Sequence, residues 1–383
     1  VLDNNSDAQQ SIGSGFHVGN GFFISNYHVI AELLDTRQHL HAVARTFDEQ
    51  ELPLELITTD IVHDVALLRA KNVNMPVIAL TDQVPARGAR LYSVGNPLDI
   101  GFTIVEGNYN GLVKGDPRPH IHFTGALNPG VSGGPTINDE GIAVGINVAS
   151  SGEQVSYLVP GTYAQALLKS MPADLSTLTA PTQGELNQRV REQLLAEQSR
   201  LTEAFVATPL KQTSFGHLQV PDSHVDWLTC WGGTRSEDKL LLKVSMRSCR
   251  SGAPVYLSSG LTTGNISFSQ NALDGTLLTS SQFLYQYGKA FKSELPHDDS
   301  RKKLLPPVCQ HDFFTHNQIV YRAATCIRGY RDYPDIFNVT FYGASQEPDR
   351  RGLLTTLRLD GFTVANAKRL ITHYVNGIAG DAP

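Results

Sequence analysis

Three short segments of the chain carry residue types that together can turn a hydroxyl into a nucleophile. They are Ser25-Asn26-Tyr27-His28-Val29-Ile30, His63-Asp64-Val65-Ala66-Leu67-Leu68 and Asn128-Pro129-Gly130-Val131-Ser132-Gly133-Gly134-Pro135. A serine at its resting pKa is a poor nucleophile. It needs a neutral imidazole to take its proton, and the imidazole needs a carboxylate to hold its tautomer. His28, Asp64 and Ser132 are the candidates for those roles. The glycines around Ser132 let the backbone turn so that two N–H groups converge on a developing oxyanion, and the donors are assigned to Gly130 and Ser132. Each segment alone has a plainer reading. A lone histidine is usually a surface or satisfied core residue, an aspartate before a strand is often a turn residue, and Gly-x-Ser-Gly-Gly also makes a simple glycine turn. The three occurring together, each on a suitable kind of element, is what carries the chemistry.

The elements that must position these residues read as strands. From Ile12 to about Val159 short apolar runs alternate with Gly, Pro and Asn, as in Gly21-Phe22-Phe23-Ile24-Ser25, Arg90-Leu91-Tyr92-Ser93-Val94 and Ile142 to Val148. Many short strands at even spacing predict a sandwich or barrel. Tyr163 to Ser170 is rich in helix formers and reads as a closing helix. Met171 to Gln183 is a Pro/Ser/Thr linker. Thr182-Gln183-Gly184-Glu185 has the form of a capping box. The helix that follows runs to about Val206, with Leu186, Val190, Leu194, Leu201 and Phe205 on one stripe and Glu185 and Arg189 paired on another face. Beyond residue 210 the character changes to strands and a terminal helix over Thr363 to Val375, an α+β, β-rich domain. The expected division is 1–175 for the barrel domain, 176–209 for linker and amphipathic helix, and 210–383 for a cysteine-containing domain. This fits 383 residues at roughly 100–200 per domain.

The segments in the order His, Asp, Ser follow the chain order of chymotrypsin, not of subtilisin or the α/β-hydrolases. With Gly13-Ser14-Gly15-Phe16, Val94-Gly95-Asn96-Pro97, Ala126 to Pro135, Gly141 to Asn147 and Tyr157-Leu158-Val159-Pro160, residues 11–170 resemble the HtrA/Deg trypsin-like serine peptidases. The resemblance implies an all-β chymotrypsin-like double β-barrel with His28, Asp64 and Ser132 in the cleft. It implies hydrolysis of protein or unfolded polypeptide substrates in the periplasm or outside the cell, with no metal or organic cofactor. It also implies that substrate pairs as an added strand along Ile146, Asn147 and Val148. Two departures stand out. Val131 occupies the position before the nucleophile where the family has Asn and digestive trypsins have Asp, so trypsin-style pairing with a freed amine is excluded. Residues 184–383 also lack the carboxylate-binding glycine loop of a PDZ domain.

In this fold the floor of the first specificity pocket lies about six residues before the nucleophile, at Ala126. Leu127 and Val148 are expected to add apolar walls, giving a small apolar preference and rejecting Lys and Arg, whose buried unpaired charge costs several kcal/mol; the plainer alternative is that Leu127 is barrel core and the pocket is open and undiscriminating. Cys230, Cys249, Cys309 and Cys326 all lie in the second half, and an even count there favours two disulfides, with local pairing preferred among three connectivities. A formal charge of −6 leaves no basic field for nucleic acid or an anionic membrane. No apolar run approaches the ~18 residues of a spanning helix. His120-Ile121-His122, His297-Asp298-Asp299 and His311-Asp312 carry metal-ligand types but read better as surface. The 183–206 helix or the C-terminal domain could dock a protein partner. A rival reading makes the barrel domain a scaffold and the C-terminal domain the working surface.

Overall fold

The computed structural model describes all residues except 5–9, 36–38, 98–100, 151–154, 176–177, 217, 238–240, 292–302, 348 and 382–383. His297-Asp298-Asp299 therefore lies outside the described residues. The chain divides into two compact units. The first comprises Val1–Lys114, Arg118–Gln193 and Val255–Ser259; the second comprises Gly115–Pro117, Leu194–Pro254 and Gly260–Pro383.

In the first unit the strands are β1 (Leu2–Asp3), β2 (Phe16–Gly19), β3 (Phe22–Ser25), β4 (Leu40–Arg45), β5 (Glu51–Asp60) and β6 (Val65–Arg69), with a single helical turn, α1 (Tyr27–Ile30), after β3. They form a six-stranded sheet in the order β1-β4-β5-β6-β3-β2. The second set is β7 (Arg90–Gly95), β8 (Thr103–Leu112), β9 (Ile121–Phe123), β10 (Pro135–Ile137), β11 (Ala143–Ser150) and β12 (Ser156–Pro160), which close into a barrel by pairing of β10 with β7. Among the described residues the first sheet stays open between β1 and β2, so one of the two expected barrels is closed and the other is an open six-stranded sheet.

The sequence pattern explains the layering. β8 alternates inward and outward residues along most of its length, as a barrel wall with one wet face must. β3 and β6 are apolar and buried nearly throughout. β6 is covered on its outer side by α2 (Gly161–Lys169), which also packs on β5 and β11. Phe16, Ile24, Val65, Leu67, Ile146, Val159 and Ala164 form one core, and Leu91, Tyr109, Phe123, Leu127, Val131, Val144 and Leu158 belong to that of the closed barrel. The helix α3 (Gln183–Val206) starts at the capping box: Glu185 N–H donates to Thr182 Oγ1 at 3.3 Å and Thr182 N–H to Glu185 Oε2 at 2.7 Å.

The second unit is built on β13 (Gln212–Phe215), β14 (Leu218–Pro221), β15 (Leu228–Glu237) and β16 (Leu242–Ser251), then β18 (Leu261–Thr263), β19 (Asn265–Asp274) and α4 (Ser280–Ala290). β20 (Val308–His316), β21 (Ile319–Gly329), β22 (Phe337–Gln346), β23 (Arg351–Phe362), α5 (Val364–Asn376) and β24 (Ala379–Asp381) complete it. The strand between β16 and β18, β17 (Val255–Ser258), belongs to the first unit. A seven-stranded antiparallel sheet runs β15-β16-β19-β23-β22-β21-β20. Helix α5 lays Ala367, Leu370 and Tyr374 into its core, with Thr363 as N-cap. Cys230–Cys249 bridges β15 to β16 and Cys309–Cys326 bridges β20 to β21, each between directly opposed residues of a hairpin. Closing loops of 19 and 17 residues is worth about 3 kcal/mol apiece in the chain-entropy account.

Candidate active site

His28 sits on α1, immediately after the buried strand β3. Asp64 closes the turn between β5 and β6. Its φ of +57° is left-handed, a conformation aspartate tolerates better than most residues. The turn is pinned from the histidine's own segment: Asn26 Nδ2 donates to the Asp64 carbonyl at 2.8 Å and Tyr27 N–H to the same oxygen at 3.3 Å. So held, the Asp64 carboxylate faces His28 with both oxygens. One accepts the His28 backbone N–H at 2.8 Å and the other accepts Nδ1–H at 2.7 Å. That bond puts the proton on Nδ1 and leaves Nε2 as the acceptor. Burial of the imidazole disfavours its charged form, but the charge and hydrogen bond of Asp64 outweigh this, and the His28 pKa is raised above its ordinary value.

Ser132 lies on the loop Asn128–Gly134 between β9 and β10. The loop is gripped by its carbonyls. Ser14 N–H donates to the Ser132 carbonyl at 2.6 Å, and Ser14 Oγ donates to the Gly130 carbonyl at 2.7 Å. Ser14 in turn accepts Asn96 N–H on Oγ and Ser25 Oγ–H on its carbonyl. Gly133 must be glycine: its φ is +88°, and a Cβ there would stand 2.2 Å from the Ser14 carbonyl oxygen. From the other side, Asn147, fully buried, donates Nδ2–H to the carbonyls of Val94 and Val131 at 3.1 and 3.2 Å and accepts Thr136 Oγ1–H at 2.6 Å.

These contacts sort the loop's N–H groups. Val131 N–H goes to Asn128, Gly133 N–H to Asn147 and Gly134 N–H to Val131, all carbonyl oxygens. Among the described residues the N–H groups of Gly130 and Ser132 make no hydrogen bond. The Ser132 hydroxyl donates to the Val148 carbonyl at 2.6 Å, and among the described residues no hydrogen bond joins it to His28.

Comparison with known proteins bears on this arrangement. The profile of the trypsin-like peptidase domain family matches residues 13–146. The chain is 33% identical over 144 residues to a probable periplasmic serine endoprotease, DegP-like, of Pseudomonas putida strain GB-1; the match covers 36% of this chain and 29% of that one. Residues 13–146 thus match a trypsin-like peptidase domain, and the relatives matched there are DegP-like serine endoproteases. A DegP-like relative from Marinomonas sp. strain MWYL1 is 30% identical over 177 residues, covering 43% of this chain and 36% of its own. The chain thus spans about a third of the length of these relatives. Among solved structures, the serine endoprotease from Yersinia pestis matches with 25% identity and a TM-score of 0.38, over 44% of this chain and 60% of that one. The HtrA-type protease AlgW with a decapeptide matches with 24% identity and a TM-score of 0.37, over 42% and 51%.

Within the peptidase domain the structure corrects two expectations. Leu127 is 4% exposed and packs in the closed-barrel core, the alternative reading of that residue, whereas Ala126 beside it is exposed. An added strand cannot pair along the whole of Ile146-Asn147-Val148. Ile146 already faces Pro135 on β10 and Val159 on β12. Asn147 pairs with Leu158 and uses its N–H and carbonyl on Gly134 and Gly133. Both backbone edges are occupied until Val148, which the register with β12 skips. Three residues gained roles that sequence reasoning had not given them. Ser14 and Asn26 stand inside motifs with no chemistry of their own in the sequence, and Asn147 reads there as a strand position that pairs with substrate. A short polar residue within an otherwise glycine-rich or apolar motif was the available signal.

Proposed function

We propose that the chain is a serine endopeptidase in which Ser132 attacks, His28 moves the proton and Asp64 orients His28. One observation carries the reading: Asp64 holds His28 through Nδ1, leaving Nε2 free to accept a proton, in a domain of the trypsin-like family. Gly130 and Ser132 N–H are the oxyanion donors, since the three neighbouring N–H groups on the loop are already used. The chemistry follows the triad template. Ser132 Oγ attacks the scissile carbonyl as its proton passes to His28 Nε2. The imidazolium, stabilised by Asp64, then protonates the leaving amine, and water repeats the sequence on the acyl-enzyme.

Before attack the Ser132 hydroxyl must leave Val148. A substrate backbone N–H pairing with the Val148 carbonyl would compete for that same oxygen, so binding and freeing of the nucleophile are one event. Ala126 and Val148 border the pocket for the residue before the cut, and neither offers a carboxylate. The substrates are proteins or unfolded polypeptides with a small apolar residue there. The compartment is periplasmic or extracellular, in line with the names of the relatives and the two disulfides.

The test is Ser132→Ala with a fluorophosphonate probe and an unfolded protein substrate. The wild type should label once per chain and cleave, while Ser132→Ala should do neither and keep its melting temperature. Cleavage at near wild-type rate by Ser132→Ala would end the assignment.

A further inference from the structure

The unit that holds His28, Asp64 and Ser132 also contains Val255–Ser259, a segment more than 120 residues downstream of the nucleophile and flanked on both sides by residues of the second unit. Within β17, Val255 and Leu257 are buried, each 3% exposed, and Tyr256 and Ser258 alternate to the other face. The segment is fastened just after Tyr256, at Leu257 and Ser259. The fully enclosed Tyr27, which precedes the catalytic histidine, donates its Oη–H to the Leu257 carbonyl at 2.8 Å, and Ser259 N–H donates to Glu32 Oε1 at 3.2 Å. Tyr256 is thereby set against His28: ring centroids 5.9 Å apart, planes at 69°, an edge-to-face contact inside the 4.5–7 Å range in which such pairs attract.

We propose that Tyr256 is a positioning residue for His28, its ring holding the imidazole in the rotamer that bonds Asp64 through Nδ1 and leaves Nε2 free. The inference rests on the triad reading above. His28 is bound through one nitrogen only and its side chain is 26% exposed, so a swing toward solvent would break the Asp64 bond with nothing on Nε2 to oppose it. The ring blocks part of that path and shelters the Asp64 side from water, so the attraction for the imidazolium formed in the reaction is less screened. The charged groups around the ring are Asp64 and Glu32. The Tyr256 hydroxyl makes no hydrogen bond among the described residues, and its pKa is pushed up to about 12 by burial and then by Glu32 and Asp64. It therefore stays neutral and adds no negative charge beside Asp64. The ring, not the hydroxyl, is the working part.

The experiment compares Tyr256→Ala, Tyr256→Phe and Tyr27→Phe in the full chain, measuring kcat and KM on an internally quenched peptide and the rate of fluorophosphonate labelling of Ser132. Loss of an edge-to-face contact and its shelter should lower kcat about tenfold in Tyr256→Ala. Labelling should slow in proportion, with KM within about twofold of wild type. Tyr256→Phe should recover most of that loss. Tyr27→Phe, which frees the Leu257 carbonyl, should fall between. If Tyr256→Ala melts below the assay temperature, Tyr256→Leu, which fills the space without a ring, takes its place with the same expected loss. A ring-deletion variant with wild-type kcat and labelling overturns the proposal, as does a defect in KM alone, or Tyr256→Phe as slow as the deletion. A wild type that fails to label sinks the triad reading instead, which keeps the two failures apart.

Discussion

Asn147→Ala separates a loop-holding role from a substrate-binding one. The side chain is wholly buried and makes three hydrogen bonds, to the carbonyls of Val94 and Val131 and from the Thr136 hydroxyl. The Val131 carbonyl keeps a partner when the amide goes, because Gly134 N–H also reaches it at 3.0 Å. The Thr136 hydroxyl, itself fully buried, has its bond to Asn147 removed. Two further bonds lost at a net ~1 kcal/mol each, and a buried hydroxyl stranded at about 1–3 kcal/mol, give a destabilisation of roughly 3–5 kcal/mol. For a unit of this size, at about 2–4 °C per kcal/mol, Tm should drop by roughly 10 °C. Calorimetry in a Ser132→Ala background avoids self-cleavage, and labelling by a fluorophosphonate in the Ser132 background should slow as the loop loosens. Asn147→Asp sharpens the test. It keeps an acceptor for Thr136 but turns an oxygen toward two carbonyl oxygens, so burial and repulsion raise the new carboxyl's pKa. A raised folded-state pKa means the penalty is full at neutral pH and shrinks as the pH falls through that value toward the ordinary ~3.9. A Tm within 2 °C of the parent for Asn147→Ala, or a defect confined to KM, would refute the loop-holding account.

The acid limb of activity should have its midpoint above the ordinary histidine value of ~6.5, because Asp64 raises His28 and only the neutral imidazole can accept the Ser132 proton; kcat/KM that is flat from about pH 7 to 5 would remove His28 as the base. Cleavage products of a denatured protein, sequenced by mass spectrometry, should show a majority of cuts after Val, Ala, Ile or Leu and few after Lys or Arg. A majority after Lys or Arg would refute the pocket built on Ala126 and Val148.

Much of this architecture is legible in the residues. Short apolar runs punctuated by glycine gave the strands, and the Thr182–Glu185 box and the 3.6-residue stripe from Leu186 to Phe205 gave α3, because both signals are local. What was not legible depends on pairing across the chain. Leu127 looks like a pocket wall in one dimension, and only the closure of the barrel turns it inward. The sequence of β11 does not say that Ile146 and Asn147 have neighbours on both edges, which is what moves the free edge to Val148. Tyr256 lies in a stretch with no motif at all, and its place beside His28 is set by a bond from Tyr27 across 230 residues.

Val131 shows how a departure from the family pattern is absorbed. A polar residue before the nucleophile can tie the oxyanion loop to a partner through its side chain. Here that side chain is apolar, 3% exposed, and packed with Leu91, Leu127 and Val144, so it anchors the loop by burial alone. The directional ties come from outside: Ser14 on the carbonyls of Gly130 and Ser132, and Asn147 on that of Val131. Each tie engages a carbonyl, and because the peptide unit is planar, fixing the Val131 carbonyl also fixes the direction of the Ser132 N–H. Fixing C=O groups is therefore a way of aiming N–H groups, and it leaves the donors of Gly130 and Ser132 unspent. In the proposed mechanism, a loop so held is ordered by contacts of Ser14 and Asn147 with its carbonyls.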